Sequence, residues 1–286
     1  MSKNDTKTKL APDLEISKIV TGLWQIADME RDGKSLDLDR SAQHMKGYTD
    51  AGLTTFDMAD HYGSAEDIAG IFTTKVAKDD NVQLLTKWVP EPGKNDKETV
   101  RAAIQRSLDR LQTDSIDLLQ YHAWNYADPS YLDDLFHLQE LQDEGLIRHL
   151  GLTNFDTAHL DIVLETGIKV VSNQVCFSLL DQRAAQGMTK LCEEKGVKIL
   201  AFGTLAGGFL TEKWLDKSEP KGDNLTTWSQ MKYKRYIDEA GGWQKFQHLL
   251  QALKQKADEH HVSMANIASR YILDQPAVGA VIIGAR

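Results

Sequence analysis

The 286-residue sequence predicts an α/β protein folded as one (β/α)8 TIM barrel. Three observations carry that expectation. Eight short apolar runs alternate with longer amphipathic stretches, the rhythm of repeated βα units. The runs are continuous rather than alternating in polarity and rich in Val, Ile and Leu, as buried parallel strands are. No composition break divides the chain and no GxGxxG follows the first run, which favours a closed barrel over an open dinucleotide-binding sheet.

The elements follow in order. A polar N-terminal tail over 1–15 leads into KIVTGLW (18–24), then an acidic loop over 28–39 and a helical pattern near 39–51. LTTFD (53–57) precedes a helix from about Ser64 to Val76, and VQLLTK (82–87) one from Asp96 to Leu111. SIDLLQYH (115–122) precedes a helix over 130–144, and IRHLGLTN (147–154) one near 156–166. KVVSNQV (169–175) precedes a helix near 182–195, and VKILAFG (197–203) follows it. Helix starts carry caps: Ser64 with Asp67, Asp96 with Thr99, and Asn154 or Asp156. Gly145 and Gly196 follow helical segments, where a left-handed residue is wanted.

Residues 204–242 break the rhythm and read as a long loop after the seventh strand, on the active face. AVIIGAR (280–286) supplies the eighth strand with no helical stretch behind it, so the expected barrel lacks its final C-terminal helix. An apolar groove beside that strand is expected, which a partner chain would cover; an oligomer is therefore allowed. Residues 1–286 form one domain on this reading.

Composition excludes several classes. The formal net charge of −9 disfavours phosphate-driven nucleic-acid binding. No apolar window approaches a membrane span, and the N-terminus has no signal-peptide pattern. Cys176 and Cys192 stand apart and read as small buried residues. A cytoplasmic protein is expected. No HExxH or carboxylate cluster has metal-ligand spacing, so no metal is expected.

In such a barrel, chemistry sits at the C-terminal strand ends. Those ends carry Trp24, Asp57 with Tyr62 five residues on, Lys87 and Trp88, His122 and Trp124, and Thr153 and Asn154. Asn173 and Gln174 lie on the sixth strand, and Phe202 ends the seventh. Singly, each has a bland reading: Asp57 as a turn or cap, Tyr62 as a loop anchor, His122 as a satisfied core histidine, the tryptophans as packing. Jointly they suit carbonyl reduction. A tyrosine can protonate the developing alkoxide, a lysine cation eases its ionisation, and an aspartate keeps that lysine charged. A histidine can orient the carbonyl. Trp24, Trp88 and Trp124 are expected to line the substrate pocket. Tyr126 and Trp243 are weaker candidates, and His260 and His261 read as solvated surface.

The segment GLTTFDMADHYGSAEDIAG (52–70), the lysine ending the third strand and the histidine ending the fourth resemble the aldo/keto reductase superfamily. The resemblance runs from TGLW at 21 to IIGAR at 286. It implies hydride transfer from NADPH to a small-molecule carbonyl substrate, an aldehyde or ketone. Tyr62 is then the general acid, Asp57 and Lys87 tune it, and His122 orients substrate. It also implies a cofactor site: Thr153, Asn154 and Gln174 at the carboxamide, Phe202 stacked on the nicotinamide, Gly203, Thr204 and Leu205 at the pyrophosphate. Gly284 and Arg286 begin the 2′-phosphate site. Thr153 stands where the family more often has Ser, and Phe202 where Tyr is common. Two other readings share the barrel: a nucleotide-sensing subunit that retains the tetrad without turnover, and a Schiff-base chemistry on Lys87.

Overall fold

The computed structural model describes residues 6–30, 33–221, 224–225 and 227–285. Eight parallel strands close into a barrel in the order β10-β3-β4-β5-β6-β7-β8-β9. They are β3 (Ile19–Gly22), β4 (Thr55–Asp57), β5 (Gln83–Trp88), β6 (Ile116–His122), β7 (Ile147–Thr153), β8 (Val170–Cys176), β9 (Lys198–Phe202) and β10 (Val278–Gly284). All eight coincide with the apolar runs. Alternation sends one set of side chains inward and the other against the helices. Phe56, Leu119, Leu152 and Val281 take the outer side and are fully buried there.

The crossovers are α2 (Leu38–Asp50), α3 (Ala65–Ile71), α4 (Lys97–Leu111), α5 (Tyr131–Asp143), α6 (Thr157–Glu165) and α7 (Met188–Lys195), with α8 (Trp228–Glu239), α9 (Trp243–Glu259) and α10 (Met264–Leu273) between β9 and β10. Asp96 accepts from the Thr99 amide and Asp156 from the His159 amide, the predicted caps. Gly196 ends α7 in the left-handed region at φ 72°. Ser64 makes no side-chain cap; its amide and hydroxyl both donate to Glu30. Among the described residues no helix follows β10, and Ile19 on the neighbouring β3 is 38% exposed. No described helix is long and apolar enough to cross a membrane.

Three segments differ from expectation. Residues 7–17 are an antiparallel hairpin, β1 (Lys7–Ala11) with β2 (Leu14–Ser17), rather than a tail. Its buried Leu10, Leu14 and Ile16 meet Val20, Leu85, Leu118 and Leu200 and plug the N-terminal end of the barrel. The charged residues around them, KNDTKTK, Asp13 and Glu15, hide that three-residue apolar set. Trp24 is not a strand end; it opens a short helix, α1 (Trp24–Met29). Residues 204–242 are not one loop, because α8 occupies Trp228–Glu239 with Thr227 as its cap. Tyr233 and Ile237 bury one face of α8 against Phe209 and the hydrophobic face of α9.

Candidate active site

Asp57, Lys87 and Gln120, from the adjacent strands β4, β5 and β6, and Gln174, from β8, form one buried polar layer. The Lys87 ammonium donates to Asp57 Oδ2 at 2.7 Å and to the Met58 carbonyl at 2.8 Å. The other Asp57 oxygen accepts from Gln120 Nε2 at 3.0 Å and from Gln174 Nε2 at 2.8 Å. Gln174 Nε2 also lies 2.8 Å from Gln120 Oε1. A buried ion pair survives only when its remaining valences are satisfied, and here two amides complete the carboxylate. Burial pushes the Lys87 ammonium down, but Asp57 and then Tyr62 outweigh it, so its pKa is raised and it stays protonated. A protonated, ion-paired lysine is a poor nucleophile, which disfavours the Schiff-base chemistry.

Tyr62 stands above this layer with Lys87 Nζ 5.1 Å from its ring centroid. Burial pushes the phenol up, Lys87 pulls it back, and the net shift is upward. The phenol is therefore held in its proton-bearing form. Its backbone is fixed from two sides: the Tyr62 amide donates to Ala59 O and the Ala65 amide to Tyr62 O, both at 3.1 Å. Gly63 is left-handed at φ 56°, and a Cβ there would lie 2.0 Å from Glu30 Oε2. That glutamate accepts from the Ser64 amide at 2.8 Å and hydroxyl at 2.6 Å, tying α1 to the turn that carries Tyr62. Trp24 meets the Tyr62 ring edge-on at 4.9 Å.

His122, 8% exposed, ends β6, its ring 6.4 Å from that of His61. Burial, then the Lys87 charge, lowers its pKa to about 4, so the ring is neutral near pH 7. Asn154 Nδ2 lies 3.0 Å from His122 Nε2. An amide nitrogen can only donate, so this contact makes Nε2 the acceptor and leaves the ring hydrogen on Nδ1. His122 Nδ1 and Thr153 Oγ1 are both buried without a partner within the protein. Asn154 is itself left-handed at φ 63°, held by the Tyr126 hydroxyl bonding to its carbonyl.

The expected tetrad is therefore assembled, with Thr153 and Asn154 adjoining it. Phe202 ends β9, half-buried at the mouth, and Gly203 is left-handed at φ 72°. Gly284 ends β10 under the Gln25 side chain. Arg286 lies outside the described residues. Trp24 and Trp124 flank the mouth; Trp124 is 66% exposed with its ring 4.8 Å from His122. Trp88 follows inward Lys87, and its ring packs 5.7 Å from Tyr121. With Trp124 and His61 it lines a cavity of about 500 Å³ that extends to α4. Gln120 was missed; a glutamine inside the apolar run SIDLLQYH was the available signal.

A parallel barrel whose C-terminal mouth holds a buried Lys–Asp pair, a tyrosine and a neutral histidine defines an oxidoreductase acting on carbonyls. The model of the aldo/keto reductase family matches residues 18–286. The chain belongs to the aldo/keto reductase family. It is 27% identical over 287 residues to the aldo-keto reductase YhdN of Bacillus subtilis, covering 96% of this chain and 82% of that one. Against the chloroplastic pyridoxal reductase of Arabidopsis thaliana it is 28% identical over 244 residues, 79% of this chain and 66% of the relative. Among solved structures, the glycerol dehydrogenase AKR11B4 of Gluconobacter oxydans superposes with a TM-score of 0.81 at 25% identity, over 100% of this chain and 87% of that one. The holo form of the aldo-keto reductase AKR11C1 of Bacillus halodurans gives 0.73 at 25% identity, over 98% and 86%.

Proposed function

We propose that the protein reduces an aldehyde or ketone to an alcohol with NADPH, and that Tyr62 is the proton donor. One observation carries the reading: a protonated Lys87 is held on Asp57 at 2.7 Å, with its ammonium 5.1 Å from the centroid of the Tyr62 ring. The site also fits a nicotinamide. Thr153 Oγ1 is a buried hydroxyl with nothing to bond, and Phe202 offers a flat apolar face nearby. Thr153, Asn154 and Gln174 would hold the carboxamide; Gln174 has its nitrogen committed to Asp57, which leaves its carbonyl oxygen as the accepting atom. Phe202 would carry the ring, and Gly203, Thr204 and Leu205 the diphosphate.

A reduced nicotinamide supplies the hydride when bound. As the carbonyl carbon accepts it, negative charge grows on the carbonyl oxygen. Tyr62 donates its proton there, and the Lys87 ammonium stabilises the phenolate left behind. Asp57, completed by Gln120 and Gln174, keeps Lys87 from giving up its own proton. Neutral His122 offers a hydrogen bond without adding charge and sets the angle of the carbonyl. Trp24 and Trp124 would bind the apolar part of the substrate.

NADPH oxidation across an aldehyde panel tests this. Wild type turns over at least one reactive aldehyde, and Tyr62→Phe loses roughly 10²–10⁴-fold in rate while NADPH still binds. Near-normal rates in Tyr62→Phe would refute the assignment. Binding without turnover of any aldehyde would identify a nucleotide sensor instead.

A further inference from the structure

Arg110, in the last turn of α4, lies outside the tetrad, yet its side chain reaches the segment that carries Tyr62. Its Nη1 donates to the Asp60 carbonyl oxygen at 2.9 Å and to Glu66 Oε2 at 3.2 Å. These two partners bracket Tyr62, one before it and one after. The other Glu66 oxygen accepts from the Thr86 hydroxyl at 2.6 Å, and Thr86 is the neighbour of Lys87 on β5. At the opposite end, the Asp60 amide donates to the Lys87 carbonyl at 3.0 Å and the Val89 amide to Asp60 Oδ2 at 3.3 Å. Both ends of the 60–66 segment are thus pinned to the strand of Lys87, and one guanidinium joins the two ends.

The packing around this clamp points the same way. Glu66 is 1% exposed, and a carboxylate so placed is tolerated only with its hydrogen bonds made. Burial pushes its pKa up, and the hydrogen bonds of Thr86, Ser107 and Arg110 oppose that. A Cβ on Gly70 would lie 2.2 Å from Arg110 O and 2.8 Å from the Leu111 carbonyl carbon, so α3 meets the end of α4 backbone to backbone. That close approach keeps the end of α4, and Arg110 with it, against the turn.

We propose that Arg110 is a positioning residue for the proton transfer: it fixes the Tyr62 phenol relative to the Lys87 ammonium without touching substrate or cofactor. The inference rests on Tyr62 as the proton donor and adds the device that holds it in place. The Lys87 ammonium is 5.1 Å from the centroid of the Tyr62 ring, and its pull on the phenol weakens as that distance grows. The charged groups acting on the phenol are Lys87, Asp57 and Asp60, and the His61 ring lies 4.8 Å from its own. A phenol that drifts from Lys87 is harder to ionise, so it both transfers its proton more slowly and keeps it to higher pH.

Steady-state reduction of a reactive aldehyde by NADPH, followed against pH, tests this in wild type, Arg110→Lys, Arg110→Met and the double variant Arg110→Met with Glu66→Gln. Arg110→Met is expected to lower kcat roughly ten- to a hundredfold and to move the alkaline limb of kcat to higher pH. Its KM for the aldehyde and its affinity for NADPH stay within about twofold of wild type. Arg110→Lys keeps a donor and recovers most of the rate. Arg110→Met also strands the buried Glu66 carboxylate, and the double variant separates that effect: it regains the wild-type unfolding temperature but not kcat. A double variant that regains kcat along with stability overturns the inference, because Arg110 is then only the counter-ion of Glu66. A loss confined to KM, which puts Arg110 on the substrate, overturns it too, as does Arg110→Met with the kcat and alkaline limb of wild type. Near-normal rates in Tyr62→Phe overturn the reading of Tyr62 and this inference with it.

Discussion

At the residue scale, the site is governed by what burial does to charge. Asp57 is 3% exposed and Lys87 1%, so neither can be left without the other. Replacing Asp57 with Asn strands a buried ammonium; a cost of about 3 kcal/mol is expected, read as a lower denaturation midpoint, together with loss of reductase activity. A stability change within about 0.5 kcal/mol would mean that the Met58 carbonyl suffices for the cation. His122 gives a pH signature. Its pKa falls from 6.5 to about 4 on folding. Between those values the unfolded chain binds the extra proton, so stability present above pH 6.5 is lost as pH falls toward 4. The ceiling is on the order of 3 kcal/mol. His122→Gln should flatten that window of acid unfolding; an unchanged profile would place the acid lability elsewhere. Asp57, Lys87 and His122 were legible in the sequence because titratable side chains at the ends of apolar strands stand out, and Tyr62 because it follows Asp57 by five residues. Gln120 was not, because a single inward glutamine differs from a core residue only once the partner strand is known.

At the element scale, the position of Tyr62 depends on a short turn whose parts come from α1 and α3. Glu30 bonds the Ser64 amide and hydroxyl, and Gly63 leaves room for it. Gly63→Ala introduces a Cβ that must displace the carboxylate, at a residue already at φ 56°. The expected result is a loss of kcat of roughly tenfold or more with the fold intact by circular dichroism; an active Gly63→Ala enzyme would show that Tyr62 is placed by Trp24 and Lys87 instead. The sequence marks the strands well and this turn poorly. Continuous Val, Ile and Leu runs announce buried parallel strands, whereas Ser64 resembles an ordinary cap until its true partner, 34 residues earlier, is seen. Period-two alternation places Lys87 and Trp88 on opposite faces, so strand-end crowding alone did not show which cavity Trp88 lines.

At the scale of the whole molecule, chemistry and closure lie at opposite ends of the barrel. The β1–β2 hairpin fills the N-terminal end with Leu10, Leu14 and Ile16, far along the strands from the polar layer. Ile16 is fully buried. Ile16→Ala should therefore cost about 2–5 kcal/mol of stability yet leave kcat/KM for an aldehyde near wild type at moderate temperature. An equal loss of both would mean that the plug sets the geometry of the site. The barrel itself was readable from rhythm and composition. The plug was not, because its apolar residues are few and sit among lysines and acids, and α8 was lost within a glycine-flanked segment.

The seam of that barrel has a temporal meaning as well. Val281 pairs with Ile19, and Gly284 with Gly22, so the last strand of the chain closes on the first of the barrel. On the ribosome, β3 emerges roughly 10–50 s before its second neighbour does, at ordinary elongation speeds. Throughout that interval the growing sheet carries two open rims, each able to recruit a strand from another molecule. The nascent barrel is thus most vulnerable to mispairing when seven strands are present and only β10 is missing.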